Sequence, residues 1–121
     1  MTARIFHICA PDQWQSQLSA TLYTDPSLQT EGFIHCSTKE QLDPTLGRHF
    51  TDIPELIILE ILPSAVAEIL RFEAAPRSGE LYPHIYGTIP KDAILRVHHF
   101  NWETPAMDLV DLTDLTALID Q

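Results

Sequence analysis

The chain has 121 residues, 45% of them hydrophobic, with 17 acidic and 7 basic side chains and a formal net charge of −10. That length sets the expectation of one domain with a core of its own. The charge argues against sequence-independent binding to DNA or RNA, which needs clustered Lys and Arg, but it leaves room for a small anionic ligand in a locally positive pocket.

Arg4-Ile5-Phe6-His7-Ile8-Cys9 is short, apolar and β-prone, and reads as a first strand. The Met1-Thr2-Ala3-Arg4 start lacks the features of a signal peptide, and no apolar run nears the roughly 20 residues of a membrane helix. A cytoplasmic location with no membrane partner is expected, with Cys9 and Cys36 as thiols rather than a disulfide. Pro11 and Asp12 suit a helix start. Trp14, Leu18 and Leu22 are spaced by four, which predicts a helix near Pro11–Ala20. Thr24-Asp25-Pro26-Ser27 is turn chemistry. Gly32 opens a second strand, Phe33–Cys36. Ser37 or Thr38 then caps a helix, and Glu40 stands three after Ser37 at capping-box spacing. Leu42, Leu46 and Phe50 continue the apolar face, with Pro44 set to interrupt or delay the helix.

Glu55–Leu62 is the strongest strand, and its apolar run predicts a central place covered on both faces. Pro63 stops it, and Ser64–Glu68 suits one helical turn. Ile69–Ala74 reads as a strand and Arg77-Ser78-Gly79 as a turn. Leu81–Tyr86 is extended, with Pro83 pointing to a sheet edge or a bend. Pro90–Ala93 suits a one-turn helix. Ile94–Asn101 is the last strand, with Ile94, Arg96, His98 and Phe100 on one face and Leu95, Val97 and His99 on the other. The tail from Glu103 has five acidic residues and no basic one. Leu109, Leu112, Leu115 and Leu118 repeat every three, which predicts an amphipathic helix packed on the body or on a second copy. The expected organisation is an α+β domain over residues 1–102 and an acidic tail over 103–121.

Two islands look chemical: Gly32-Phe33-Ile34-His35-Cys36-Ser37-Thr38 and Glu80-Leu81-Tyr82-Pro83-His84-Ile85-Tyr86-Gly87. Each sets a histidine among apolar residues, where a buried polar group without a partner costs roughly 1–3 kcal/mol. His7 is similarly placed, either as a core histidine on a backbone carbonyl or as a site residue. His35 faces the same way as Phe33 and Ser37. Ser37 and Thr38 are helix caps or, with the free backbone N–H groups there, part of an anion site. Gly32 allows close approach of a ligand or simply turns the chain. Tyr82 and Tyr86 offer rings and hydroxyls to a base or sugar, or are ordinary half-buried sheet residues. Glu73 and Glu80 flank the Gly79 turn as a general base or ribose anchor, or as surface carboxylates. No CxxC, HExxH, nucleophile elbow or phosphate-loop glycine pattern is present, and no metal is expected.

Taken in order, Ile5-Phe6-His7-Ile8, Thr30–Thr38, Arg71-Phe72-Glu73, Tyr82–Gly87 and Ile89-Pro90 resemble domain-of-unknown-function family 952, over about residues 4–100. The resemblance implies an ADP-ribosyltransferase-like fold: a split, mostly antiparallel sheet around a cleft, with flanking helices. In that superfamily the cleft holds NAD. The resemblance therefore implies that His7 meets the adenosine ribose and that Gly32, Phe33, Ile34 and His35 hold the nicotinamide side. Glu80 or His84 falls near the place of the late carboxylate on the nicotinamide ribose. The expected function is an NAD-type nucleotide-binding ADP-ribosyl or phosphate transferase-like enzyme. Its expected catalytic residues are His35, Glu80 and His84, and its cofactor-binding residues are His7, Gly32, Phe33, Ser37, Thr38, Glu73 and Tyr86. Many active members carry an aromatic residue where Ile34 stands, which motivates the alternative of a ligand-binding module without turnover. A further alternative is a metal-dependent hydrolase using His7, His35 and His84. The expected partner is a small nucleotide-like ligand, with the tail as a route to a homodimer.

Overall fold

The computed structural model describes residues 3–111. Its frame is a five-stranded antiparallel sheet built around β5 (Glu55–Ile61), which pairs with β1 (Ile5–Cys9) on one side and β9 (Ile94–Asn101) on the other. β4 (Ser37–Thr38) and β10 (Thr104–Asp111) complete it, in the order β10-β9-β5-β1-β4. Strand alternation divides β5 between two cores. Leu56 and Ile58 join Phe6, Ile8 and Phe100 beneath helix α3 (Lys39–His49), which supplies Leu42 and Leu46. Ile57, Leu59 and Ile61 face the other way, with Ile5, Cys9, Trp14, Tyr23, Ile34 and Ile85. The apolar run thus sits in the middle of the sheet, covered on both faces, as its composition predicts.

On that second face lie two smaller sheets. One pairs β2 (Leu22–Tyr23) with β8 (Ile89–Pro90). The other has the order β3-β7-β6, with β3 (Ile34–His35), β6 (Leu70–Ala74) and β7 (Leu81–Ile85). Short helices α1 (Pro11–Gln15) and α2 (Ser27–Thr30) complete the elements, with 3-10 turns at Pro63–Val66 and Lys91–Ala93. The architecture is a single α+β domain with mostly antiparallel sheets and few helices.

Several expectations are corrected. The expected strand Phe33–Cys36 shortens to β3, paired with β7, and the residues expected only as a helix cap form a further strand in another sheet, β4, paired with β1. The chain changes sheets at Cys36. The first helix ends at Gln15, not Ala20. Beyond it Lys91 Nζ donates to the carbonyls of Gln17 (2.6 Å) and Ala20 (2.8 Å), and Leu22 enters β2 with 47% of its surface exposed. The cap of α3 is Thr38, boxed with Gln41 rather than Ser37 with Glu40. Pro44 lies inside that helix without ending it. The carbonyl deprived of a donor there belongs to exposed Glu40, while Leu42 and Leu46 are buried.

Pro83 lies in β7, the central strand of its sheet, not an edge. Its carbonyl accepts from Cys36 N–H at 3.0 Å. The reciprocal donor, the N–H that proline lacks, would face Cys36, where β3 has already ended. In β9 a register shift opposite Glu60/Ile61 turns Ile94 to the same core as Val97, so the expected strict alternation fails there. The tail does not begin as a helix. Glu103 N–H donates to Asn101 Oδ1 at 2.8 Å, and the turned chain pairs as β10 with the open edge of β9. Leu112, Leu115 and Leu118, and any dimer contact through them, lie outside the described residues.

Leu59 is fully buried at the centre of β5, whereas Phe72 on β6 is 50% exposed. Leu59→Ala is expected to lower the unfolding free energy by about 2–5 kcal/mol, and Phe72→Ala by no more than about 0.5 kcal/mol. Urea unfolding of both variants checks this; equal losses would contradict the assignment of the core.

Candidate functional site

A buried imidazole bridges the two larger sheets. His7 is buried on β1 and donates from Nδ1 to the backbone carbonyl of His35 on β3, at 2.6 Å. A carbonyl only accepts, so Nδ1 carries a proton. Nε2 is left facing Tyr23 Oη at 3.0 Å and Asp25 Oδ1 at 3.4 Å. His7 thus bonds a backbone carbonyl, as a core histidine would, and also lines a cleft.

That cleft has a volume of about 1220 Å³. Its small-sheet wall is set by register. His35 stands opposite His84, and Tyr82 opposite Glu73, all on one face of β3, β7 and β6. The rings of Phe33 and His84 stack with centroids 4.0 Å apart and planes at 19°. His35 and Tyr86 approach Phe33 at 4.8 and 5.4 Å. His84 Nδ1 and Tyr86 Oη both donate to Glu73 Oε1, at 2.7 and 2.6 Å. His35 Nε2 lies 3.1 Å from Glu31 Oε1.

The α3 side carries a relay. Gln41 is buried; its Oε1 accepts from Thr38 N–H, and its Nε2 donates to Glu80 Oε2 (3.0 Å) and the Leu81 carbonyl (2.7 Å). Tyr82 Oη donates to Glu80 Oε1 at 3.4 Å and accepts from Arg48 Nη2 at 2.6 Å.

Burial by itself would raise the Asp25 carboxyl. The hydrogen bonds from His7 and Ser27 and the charge of His7 outweigh it and hold Asp25 well below its ordinary value. The bonds from Tyr86 and His84 lower Glu73 in the same sense, and the bond to Glu73 raises the Tyr86 phenol. Burial pushes the Tyr23 phenol and the Cys36 thiol far up, and Cys9 up to about 12. Cys9 and Cys36 are buried free thiols, without the thiolate character that nucleophilic chemistry needs.

Of the residues singled out in the sequence, His7, Phe33, His35, Ser37, Glu73, Glu80, Tyr82 and His84 line the cleft. Gly32, Thr38 and Tyr86 do not. Gly32 turns the chain at φ +90°, Thr38 caps α3, and Tyr86 donates its hydroxyl to Glu73. Ser37 directs its hydroxyl to Thr45 (3.2 Å). Sequence reasoning missed Tyr23, Asp25, Gln41 and Arg48. Only Gln41 had a readable signal, standing three residues after Thr38. Among the described residues no group of three or more His, Cys, Asp or Glu side chains is arranged to hold a metal ion. His7, His35 and His84 share the cleft but bond a carbonyl and two different carboxylates.

The fold is thus an α+β domain of antiparallel sheets with a histidine-lined cleft. The chain is a member of the family described as "Protein of unknown function (DUF952)", whose model matches residues 8–97. The fold is similar to that of protein CC0527 from Caulobacter crescentus. Its crystal structure gives a TM-score of 0.73 at 24% identity, covering 94% of this chain and 98% of that one. The solution NMR structure of CC0527 gives 0.69 at 24% identity, over 95% and 97%. At that identity the likeness shows the fold alone. No curated protein matches the chain. Among the described residues no helix is long and apolar enough to cross a membrane.

Because Asp25 titrates lower in the folded chain than in the unfolded one, it contributes stability above the ordinary carboxylate range and loses it as pH falls. The stability gap between wild type and Asp25→Asn is expected to be full at neutral pH and to close below about pH 4. Urea midpoints across that range test it; a gap that widens toward acid would contradict the depressed Asp25.

Proposed function

We propose that the cleft binds NAD or a related ADP-ribose-bearing nucleotide on an ADP-ribosyltransferase-like framework, and that the chain transfers the ribosyl-linked group to an acceptor. The observation that supports this reading is the convergence of His7, Phe33, His35, Glu73, Glu80 and His84 on one cleft of about 1220 Å³. Pockets for drug-sized ligands run from about 300 to 1,000 Å³, so this one suits a dinucleotide.

The stacked Phe33–His84 pair offers a flat face to a base or a nicotinamide ring. In this reading His7, which lines the cleft, is the group that meets a ribose hydroxyl, with the buried Tyr23 hydroxyl behind it bonded to Nε2 at 3.0 Å. Glu80 is the carboxylate best placed for the reacting sugar. Glu73 is taken up by two short bonds, whereas the Tyr82 bond to Glu80 Oε1 is long at 3.4 Å. As the C1′–nicotinamide bond breaks, its electron pair leaves with nicotinamide and positive charge develops on the ribose. The Glu80 carboxylate stabilises that charge. The acceptor then forms the new bond to C1′ and gives up its proton.

Binding without turnover is the second reading. It is favoured by Ile34, which points away from the cleft into the core with none of its surface exposed.

Thermal unfolding with NAD, NADP and ADP-ribose, paired with chromatography for released nicotinamide, tests both. Free ligand at 100 times its dissociation constant is expected to stabilise by about 2.7 kcal/mol. His84→Ala is expected to abolish the shift with NAD, and Glu80→Gln to abolish nicotinamide release while keeping it. A shift with no release from wild type supports the second reading. No shift with any of the three at millimolar concentration overturns both.

A further inference from the structure

The four carboxylates that line the cleft already have partners. Asp25 faces His7, Glu31 faces His35, Glu73 accepts from His84 and Tyr86, and Glu80 accepts from Gln41 and Tyr82. The two arginines that line it are different. Neither Arg48 nor Arg77 pairs with a carboxylate among the described residues. With 17 acidic residues against 7 basic ones, carboxylates are abundant in this chain, yet these two guanidiniums face the cleft.

Arg48 is oriented rather than loose. Nη2 donates to the Tyr82 hydroxyl at 2.6 Å, and that hydroxyl is in turn turned toward Glu80. A neutral phenol therefore holds the guanidinium without neutralising it. The remaining donors of its planar fork are left for another acceptor. A cation in the last turn of α3 also complements the helix dipole, but that would not require the bond to Tyr82. Glu80, Tyr82 and His84 alternate along the cleft face of the strand, with roughly 7 Å between successive members. The Phe33–His84 stack thus lies one strand step from the Arg48 grip. Arg77 and Ser78, in the turn before Glu80, line the same cleft, and Ser78 Oγ accepts from Glu80 N–H at 3.1 Å.

We propose that Arg48, with Arg77, forms a phosphoryl subsite at this end of the cleft, taking phosphate oxygens of a nucleoside phosphate whose base lies against Phe33 and His84. This rests on the nucleotide reading of the cleft above and adds the group that anchors the ligand. Arginine suits the task because its fork meets two phosphate oxygens at once, in short charge-assisted bonds.

Calorimetric titration of the full chain with AMP, adenosine and NAD tests the assignment. Wild type is expected to bind AMP at least roughly tenfold more tightly than adenosine, and Arg48→Gln to erase that difference without weakening adenosine. Arg48→Lys is expected to fall between, since it keeps the charge and loses the fork. Tyr82→Phe, which leaves α3 untouched, is expected to weaken AMP but not adenosine, and it serves if Arg48→Gln fails to fold. Equal binding of AMP and adenosine by a wild type that binds NAD overturns the subsite and spares the dinucleotide reading. An AMP preference that survives in every folded variant also overturns it. A wild type that binds none of the three overturns both.

Discussion

One buried imidazole bonds the two larger sheets to each other beside the cleft, above the apolar core they share. His7 belongs to the five-stranded sheet, and the carbonyl it bonds belongs to the three-stranded one. Deleting the imidazole would leave the His35 carbonyl without its short partner, a loss on the order of 1–3 kcal/mol where water is excluded. The bond also sets directions. With the His35 carbonyl turned toward β1, Ile34 packs into the core while Phe33 and His35 turn to the cleft. The position of the stacking rings therefore follows from a hydrogen bond made by a residue on another sheet.

The electrostatics of the cleft follow from the acid excess of the chain. Histidines here sit beside carboxylates: His7 with Asp25, His35 with Glu31, His84 with Glu73 and, away from the cleft, His98 with Glu60 and His99 with Glu55. Each pair sets a carboxylate against an imidazole, whereas Glu80 in the same cleft wall is held by the neutral groups of Gln41 and Tyr82. What a phosphate would meet there depends on that distribution more than on the net charge of −10.

Much of the frame was legible in the sequence, and the reasons are local. β1, β5 and β9 are apolar or alternating runs long enough to show their period, and the helix start after Cys36 carries its cap within four residues. The histidine islands stood out because imidazoles among apolar neighbours demand partners. What stayed hidden depends on distant pairing. β2 and β8 are two residues each, too short for any period. The change of sheet at Cys36 leaves no mark either, because β3 and β4 are also two residues each. The tail's leucine spacing suggested a helix, but the free edge of β9 and the turn at Asn101 decided its first stretch. Asp25 reads as an ordinary turn residue, and nothing in the sequence singles out Arg48. Only the fold brings Asp25 to His7 and Arg48 to Tyr82.

Pro83 shows how a missing group can mark the end of a strand pairing. The pair Cys36–Pro83 is half-made: Cys36 donates to the Pro83 carbonyl, and proline has nothing to give back. Strand pairing between β3 and β7 therefore runs out after His35, like a zipper meeting a stop. The chain is released there toward β1, and the two sheets diverge instead of closing on each other. With any other amino acid at position 83, a second bond to Cys36 would become available, and the ladder would have a reason to continue. The change of sheet at Cys36 thus coincides with the one N–H that this strand lacks.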